Sequence, residues 1–100
     1  MTITSYDAYK CFFSAFSNKT KFEVIFLLRN GPKTVNEICK ALRFEQSRVS
    51  HNLKRLEDMG FVTCRRVGKT KVYSLDKRYI SPILKKMNKY MQSYGKTVCA

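Results

Sequence analysis

The stretch from Gln46 to Met59 limits what this chain can fold into more than any other. Val49, Leu53 and Leu56 recur at the i, i+4, i+7 spacing that lines up side chains on one face of an α-helix, with Met59 near the edge of the stripe. At roughly 100° per residue, Ser47, His51, Lys54 and Arg55 fall on the opposite face, flanked by Arg48 and Ser50. Each of these polar side chains can donate a hydrogen bond, and the acids of the segment, Glu57 and Asp58, come only at its far end. Such a helix buries one side and offers the other to a partner rich in acceptors.

The flanking segments say which partner. Upstream, Thr34 and Glu37 have the spacing of a capping box, and Val35, Ile38, Cys39 and Leu42 predict a short helix with Cys39 toward the core. Downstream, Gly60 ends the polar helix, and Phe61–Val67 and Lys71–Leu75 read as two strands around Gly68-Lys69-Thr70. Arg65, Arg66, Lys69 and Lys71 cluster on that hairpin. The predicted fold is mainly α with a small β-hairpin: a winged helix-turn-helix, the arrangement that reads double-stranded DNA. Helix 46–59 would enter the major groove and hairpin 61–75 would serve as the wing. Gln46, Ser47, Arg48, Ser50 and His51 lie in the first turns, where base edges are met, and Gln and Arg can pair bidentately with adenine and guanine. Lys54 and Arg55 are better placed for phosphates, and the hairpin cations for phosphates or a minor groove.

The remaining elements predict how the domain is completed. A first helix, Tyr6–Phe16, carries the aromatic face Tyr9, Phe12, Phe13 and Phe16 beside the small residues Ala8, Cys11 and Ala15. The second helix, after Ser17 and Asn18 as N-cap residues, is expected to be almost wholly buried through Phe22, Val24, Ile25, Phe26, Leu27 and Leu28, and to stop at Asn30-Gly31-Pro32. The last helix is expected to start with Ser81 as N-cap and Pro82 at the first helical position, and to end at Gly95. Its stripe is Ile83, Leu84, Met87, Met91 and Tyr94. The apolar faces of the first and last helices exceed what one small core can cover, which predicts a two-fold homodimer through them.

Length and charge narrow the class further. One hundred residues make one domain, residues 1–100, with its core at about 6–95. Twenty Lys and Arg against seven acids, a formal charge of +13, imply a polyanionic partner. The opening residues show no signal-peptide pattern and no apolar run reaches membrane-spanning length, so a cytoplasmic protein without a membrane partner is expected. Cys11, Cys39, Cys64 and Cys99 are 28, 25 and 35 residues apart and there is one His, which argues against a local zinc site or a redox CxxC motif. No metal or other cofactor is expected, and no nucleophile–base or paired-carboxylate arrangement suggests an enzyme. Cys39 and Cys11 are expected to pack as small hydrophobes, Cys64 has two arginines beside it, and Cys99, to which a dimer would bring Cys11 near, is the thiol most open to oxidation. If an effector is sensed, these thiols are the handles the sequence offers.

Taken together, these residues resemble the ArsR/SmtB family of winged-helix repressors. Residues 17–25, Ser-Asn-Lys-Thr-Lys-Phe-Glu-Val-Ile, look like its Asp-Pro-Thr-Arg-Leu-x-Ile-Leu segment, and Gln46 to Leu56 resemble its Gln-Ser-x-Val-Ser-x-His-Leu-x-x-Leu helix. Gly60-Phe61-Val62, Arg65 to Lys69 and Tyr73-Ser74-Leu75 are similar to its wing. The resemblance implies a dimeric transcriptional repressor that binds an inverted repeat. Departures bear on metal sensing. The two leading cysteines of the family's third-helix metal motif read Thr34 and Asn36, and the last helix lacks Asp, His and Glu. In addition, Arg43 stands in place of a turn Gly, Glu45 in place of a capping Ser or Thr, and Asn52 in place of a His. The rival reading is a winged-helix module of a larger transcription or RNA-processing assembly that uses its charge without reading sequence.

Overall fold

The computed structural model describes residues 4–100; Met1, Thr2 and Ile3, the start of the stretch searched for a signal peptide, lie outside them. The elements run α1 (Ser5–Ser17), α2 (Lys19–Leu28), β1 (Lys33–Thr34), α3 (Val35–Leu42), α4 (Gln46–Asp58), β2 (Val62–Val67), β3 (Thr70–Leu75) and α5 (Ile80–Val98). The sheet is antiparallel in the order β1-β3-β2, with Tyr73 on the central strand opposite Lys33 on one side and Cys64 on the other. β1 has only two residues, too short to show the period-2 pattern that marks a strand in a sequence.

Local chemistry sets most of the boundaries. Asn18 caps α2 by accepting from the Lys21 amide at 2.9 Å. At α3 the Thr34 amide donates to Glu37 Oε1 at 2.9 Å and the Glu37 amide donates to Thr34 Oγ1 at 3.2 Å, the reciprocal pair of a capping box. The Thr34 amide and hydroxyl hold the Glu37 carboxyl below its ordinary range. α4 ends in a Schellman turn. Gly60 at φ 78 lets its own amide donate to the Glu57 carbonyl at 3.0 Å and the Phe61 amide reach the Leu56 carbonyl at 2.9 Å.

Several expectations are corrected. α2 is buried on one side only: Val24, Ile25 and Leu28 are core, but Phe22 and Phe26, across the helix from them, are 36% and 50% exposed. Cys11 is exposed rather than packed, whereas Cys39 is half-buried against the core. α5 begins at Ile80, with Tyr79 at the N-cap position and the turn before it held by Asp76, whose Oδ2 accepts from the Tyr79 and Ile80 amides at 2.7 and 3.0 Å. Pro82 then occupies the third helical position, where the missing N–H would have had no intrahelical partner. Finally, Gly95 does not stop α5: it keeps a negative φ, and its carbonyl accepts from Cys99 at 3.2 Å.

The core gathers Ala15 from α1, Ile38 from α3, Val49, Leu53 and Leu56 from α4, Phe61, Val62, Tyr73 and Leu75 from the sheet region, and Ile80 and Leu84 from α5, around the buried side of α2. Leu84 therefore belongs to the subunit's own core, and not to the exposed stripe of α5 on which it was expected. Phe12, Phe16 and Met87 are half-buried against the same core, while Tyr9, Phe13, Met91 and Tyr94 are exposed.

The Asp76 side chain carries a pH signature. The amides of Ile80 and Tyr79 hold its carboxyl below the ordinary 3.8, so its stabilisation is complete above that value and is lost as pH falls through the lowered native value. Asp76→Ala is expected to lower the Tm at pH 7. The gap from the wild type should narrow on acidification below pH 3.8, measured by circular dichroism melts across the pH series.

Candidate nucleic-acid interface

α4 is held from below by its apolar stripe and offers its polar side to solvent. Val49, Leu53 and Leu56 are fully buried, whereas Gln46, Ser47, Ser50, His51, Lys54 and Arg55 are exposed. Lys54 Nζ lies 3.4 Å from Asp58 Oδ1, an exposed i, i+4 pair that salt screens and that leaves the lysine free to exchange toward a phosphate. No acid side chain lies in the first turn of the helix. Its N-terminus presents amides, partial positive charge and hydrogen-bond donors together, with the exposed Glu45 carboxylate at the N-cap as the one opposing charge.

Arg48 departs from this pattern. Its Nε and Nη2 donate to Thr20 Oγ1 at 2.9 and 2.6 Å, and its guanidinium lies 3.8 Å from the centre of the Phe44 ring. Asn52, buried one turn on, donates from Nδ2 to the Arg48 carbonyl at 2.8 Å. In the unbound chain Arg48, though an exposed residue, is thus bent back and bolts the start of α4 to the start of α2. Thr20 and Phe44 were not foreseen, since no periodicity links a threonine to an arginine 28 positions later. Asn52, which stands where the resembling family has a His, is a buried structural residue and not part of the reading face.

The wing is built as expected, but its cations divide. Gly68 at φ 64 is the first residue of the two-residue loop between Val67 and Thr70, the position that such hairpin loops reserve for glycine. Arg66 stands directly opposite Lys71, and strand alternation puts the two on the face that continues Cys64, Tyr73, Val62 and Leu75. Arg65 points to the other face, and Lys69 sits at the tip. A directly opposed cation pair is unfavourable without a counter-charge. All four cations are exposed, so an anion can reach them. At the root of the wing the half-buried Cys64 is beside the Tyr73 hydroxyl, and burial together with that thiol pushes Tyr73 up to about 12.

The other candidate thiols are scattered: Cys11 and Cys99 are exposed on α1 and just after α5, and Cys39 is half-buried on α3. Among the described residues no three His, Cys, Asp or Glu side chains gather where they could hold a metal ion. No helix among them is long and apolar enough to cross a membrane.

The Arg48 anchor is testable apart from any ligand. Arg48→Ala and Thr20→Val should each lower stability in urea, and the double variant should lose less than the sum. The expected coupling is about 1 kcal/mol in a double-mutant cycle.

Comparison with known proteins agrees with this geometry. Residues 18–63 match the family described as "Bacterial regulatory protein, arsR family". The chain is 36% identical over 70 residues to the HTH-type transcriptional regulator NmtR of Mycobacterium tuberculosis, covering 70% of this chain and 58% of that protein. It thus spans a little over half the length of that relative. It is 26% identical over 95 residues to the arsenical resistance operon repressor of Staphylococcus aureus, covering 95% of this chain and 91% of the repressor. The fold matches the solution structure of a homodimeric winged helix-turn-helix DNA-binding domain from Mycobacterium bovis, with a TM-score of 0.75, 22% identity, and 90% and 85% of the two chains covered. Residues 18–63 thus carry the segment of the arsR family, and the chain as a whole is similar to winged helix-turn-helix regulators of the ArsR/SmtB kind.

Proposed function

We propose that this chain is a cytoplasmic, homodimeric transcriptional repressor that binds an inverted repeat in double-stranded DNA. The observation that carries this reading is the exposed, acid-free first half of α4, with Gln46, Ser47, Ser50 and His51 turned to solvent and a cationic hairpin beside it. The relative named as a repressor and the homodimeric domain of like fold support it.

The division of labour follows from the geometry. Gln46, Ser47, Ser50 and His51 read bases; Lys54, Arg55, Arg66, Lys69 and Lys71 meet the backbone, with Arg65 on the outer face of the wing. Arg48 positions the helix instead of reading. The exposed Tyr9, Phe13, Met91 and Tyr94, with Phe12, Phe16, Ile83 and Met87 half-covered beside them, form the dimer surface. A two-fold axis there would set two α4 helices about one turn of DNA apart, roughly 34 Å.

Sedimentation at micromolar concentration in moderate salt should give twice 11.7 kDa, and Phe13→Ser with Met91→Ser should return the monomer. A wild-type monomer would remove the interface assignment. For the DNA, duplexes selected from a random pool supply the site, and titrations on that site and on a scrambled duplex separate the two kinds of contact. Gln46→Ala or His51→Ala should lose about 1–3 kcal/mol on the selected site and much less on the scrambled one. Lys69→Ala should weaken both alike and reduce the salt slope by about one unit. Equal losses for the α4 variants on both duplexes would favour the interaction module that binds without reading sequence.

A further inference from the structure

The outward side of α2 has no part in the DNA surface or in the proposed dimer contacts, yet it is not a plain solvated face. Phe22, Glu23, Phe26, Leu27 and Asn30 of α2 and its C-terminal turn, with Leu42 from the end of α3, line an open slot of about 310 Å³. That is at the lower end of the range for small-molecule sites. The two phenylalanine rings stand 5.8 Å apart with their planes tilted by 48°, forming two aromatic walls. Glu23 lines the slot, and its Oε2 is buried with no hydrogen-bond partner among the described residues. Glu23 is half-buried and only this one of its two oxygens is shielded, yet among the described residues none of the chain's twenty Lys and Arg donates to it.

The chemistry of the slot selects its occupant. An apolar surface, including that of a second copy, would cover the phenylalanines but leave the carboxylate buried and unpaired. An anion would be repelled. A protonated amine on an apolar body fits each part: its N–H groups donate to the carboxylate, its charge lies against the aromatic faces, and its body fills the space toward Leu27 and Leu42. Phe26 already accepts a cation on one face, where the Arg29 guanidinium lies 3.6 Å from the ring centre. Glu23 needs only a turn about its last side-chain torsion, a soft one, to bring an oxygen to the ligand.

The walls of the slot also lead to the Arg48 anchor. Thr20, which accepts from Arg48, is one turn before Glu23 on α2. Phe44, which stacks on Arg48, is two residues after Leu42, across the αL residue Arg43. We propose that this slot is a binding site for a small organic ammonium ion, and that its occupancy alters the seat of α4 and hence DNA affinity. The second half rests on the DNA-binding function proposed above.

The probes are benzylamine, cationic at pH 7, and benzyl alcohol, its neutral analogue, titrated into the full ¹⁵N-labelled chain without DNA. Benzylamine should shift α2 and α3 amides and bind at least about tenfold more tightly than the alcohol. Glu23→Gln, which keeps the shape of the side chain, should abolish that preference, and Phe26→Ala should weaken both probes. Equal affinities, no shifts by about 10 mM amine, or shifts that vary with protein concentration as a second copy covers Phe26 would each overturn the site. Saturating benzylamine should then change affinity for the selected duplex about fivefold or more in the wild type and not in Glu23→Gln. Binding without that change overturns the regulatory half. A chain that binds no duplex at all contradicts the DNA-binding function, and the first titration still decides the site.

Discussion

The structure depends on the burial of one stripe, Val49, Leu53 and Leu56, against α2 and α3. Each side chain contributes about 1.5–3 kcal/mol relative to exposure, more than any single polar contact at the surface of this domain. This burial fixes the rotation of α4 about its axis, and the rotation decides which residues face solvent. The Schellman turn at Gly60 carries the same constraint onward, because Phe61, buried in the core, lies three residues past the end of α4 and leads directly into β2. The polar reading face is thus a by-product of where the apolar residues must go. Arg48 and Asn52 add the last adjustment, fixing the first turn from above as the stripe fixes it from below.

Charge is distributed to the same end. The chain places few acids near α4's outward face: Glu37 is held in its capping box, Asp58 lies with Lys54 and Asp76 before α5, each helping to hold a helix in place. Glu45, the exposed N-cap residue of α4, makes no capping hydrogen bond and is the one acid beside the first turn of that helix. The opposed Arg66 and Lys71 repel each other in the free protein, so a phosphate between them would relieve a tension as well as add an attraction.

Much of this was legible in the sequence because it is local. The i, i+4, i+7 stripe of α4, the Thr34–Glu37 box and the Gly60 stop are each written within a few residues, and the structure contains all three. Arg43 in place of a turn glycine adopts φ 59, so the turn keeps its left-handed residue even without glycine. What was not legible requires the third dimension. Ser81-Pro82 and Gly95 looked like the ends of α5, but Asp76 captures the amides upstream, and a glycine inside a helix imposes only a modest cost that the surrounding turns absorb. The burial of α2 was overestimated because a run of apolar residues does not reveal that Phe22 and Phe26 point away from the rest. The Arg48–Thr20 pair spans two helices, and neither residue marks the other.

Thr34 holds two positions at once. It is the last residue of β1, paired with Val72 of β3, and it is the N-cap of α3. The central strand of the wing is therefore hydrogen-bonded to the cap of the first helix of the helix-turn-helix, while β2 joins the end of the second. Hairpin and helices are tied at both ends, so a displacement of α4 is passed to the wing and not absorbed between them. In the proposed dimer, groove-reading helix and wing then shift together within each subunit. Accommodation to different spacings between half-sites falls on the joint between subunits.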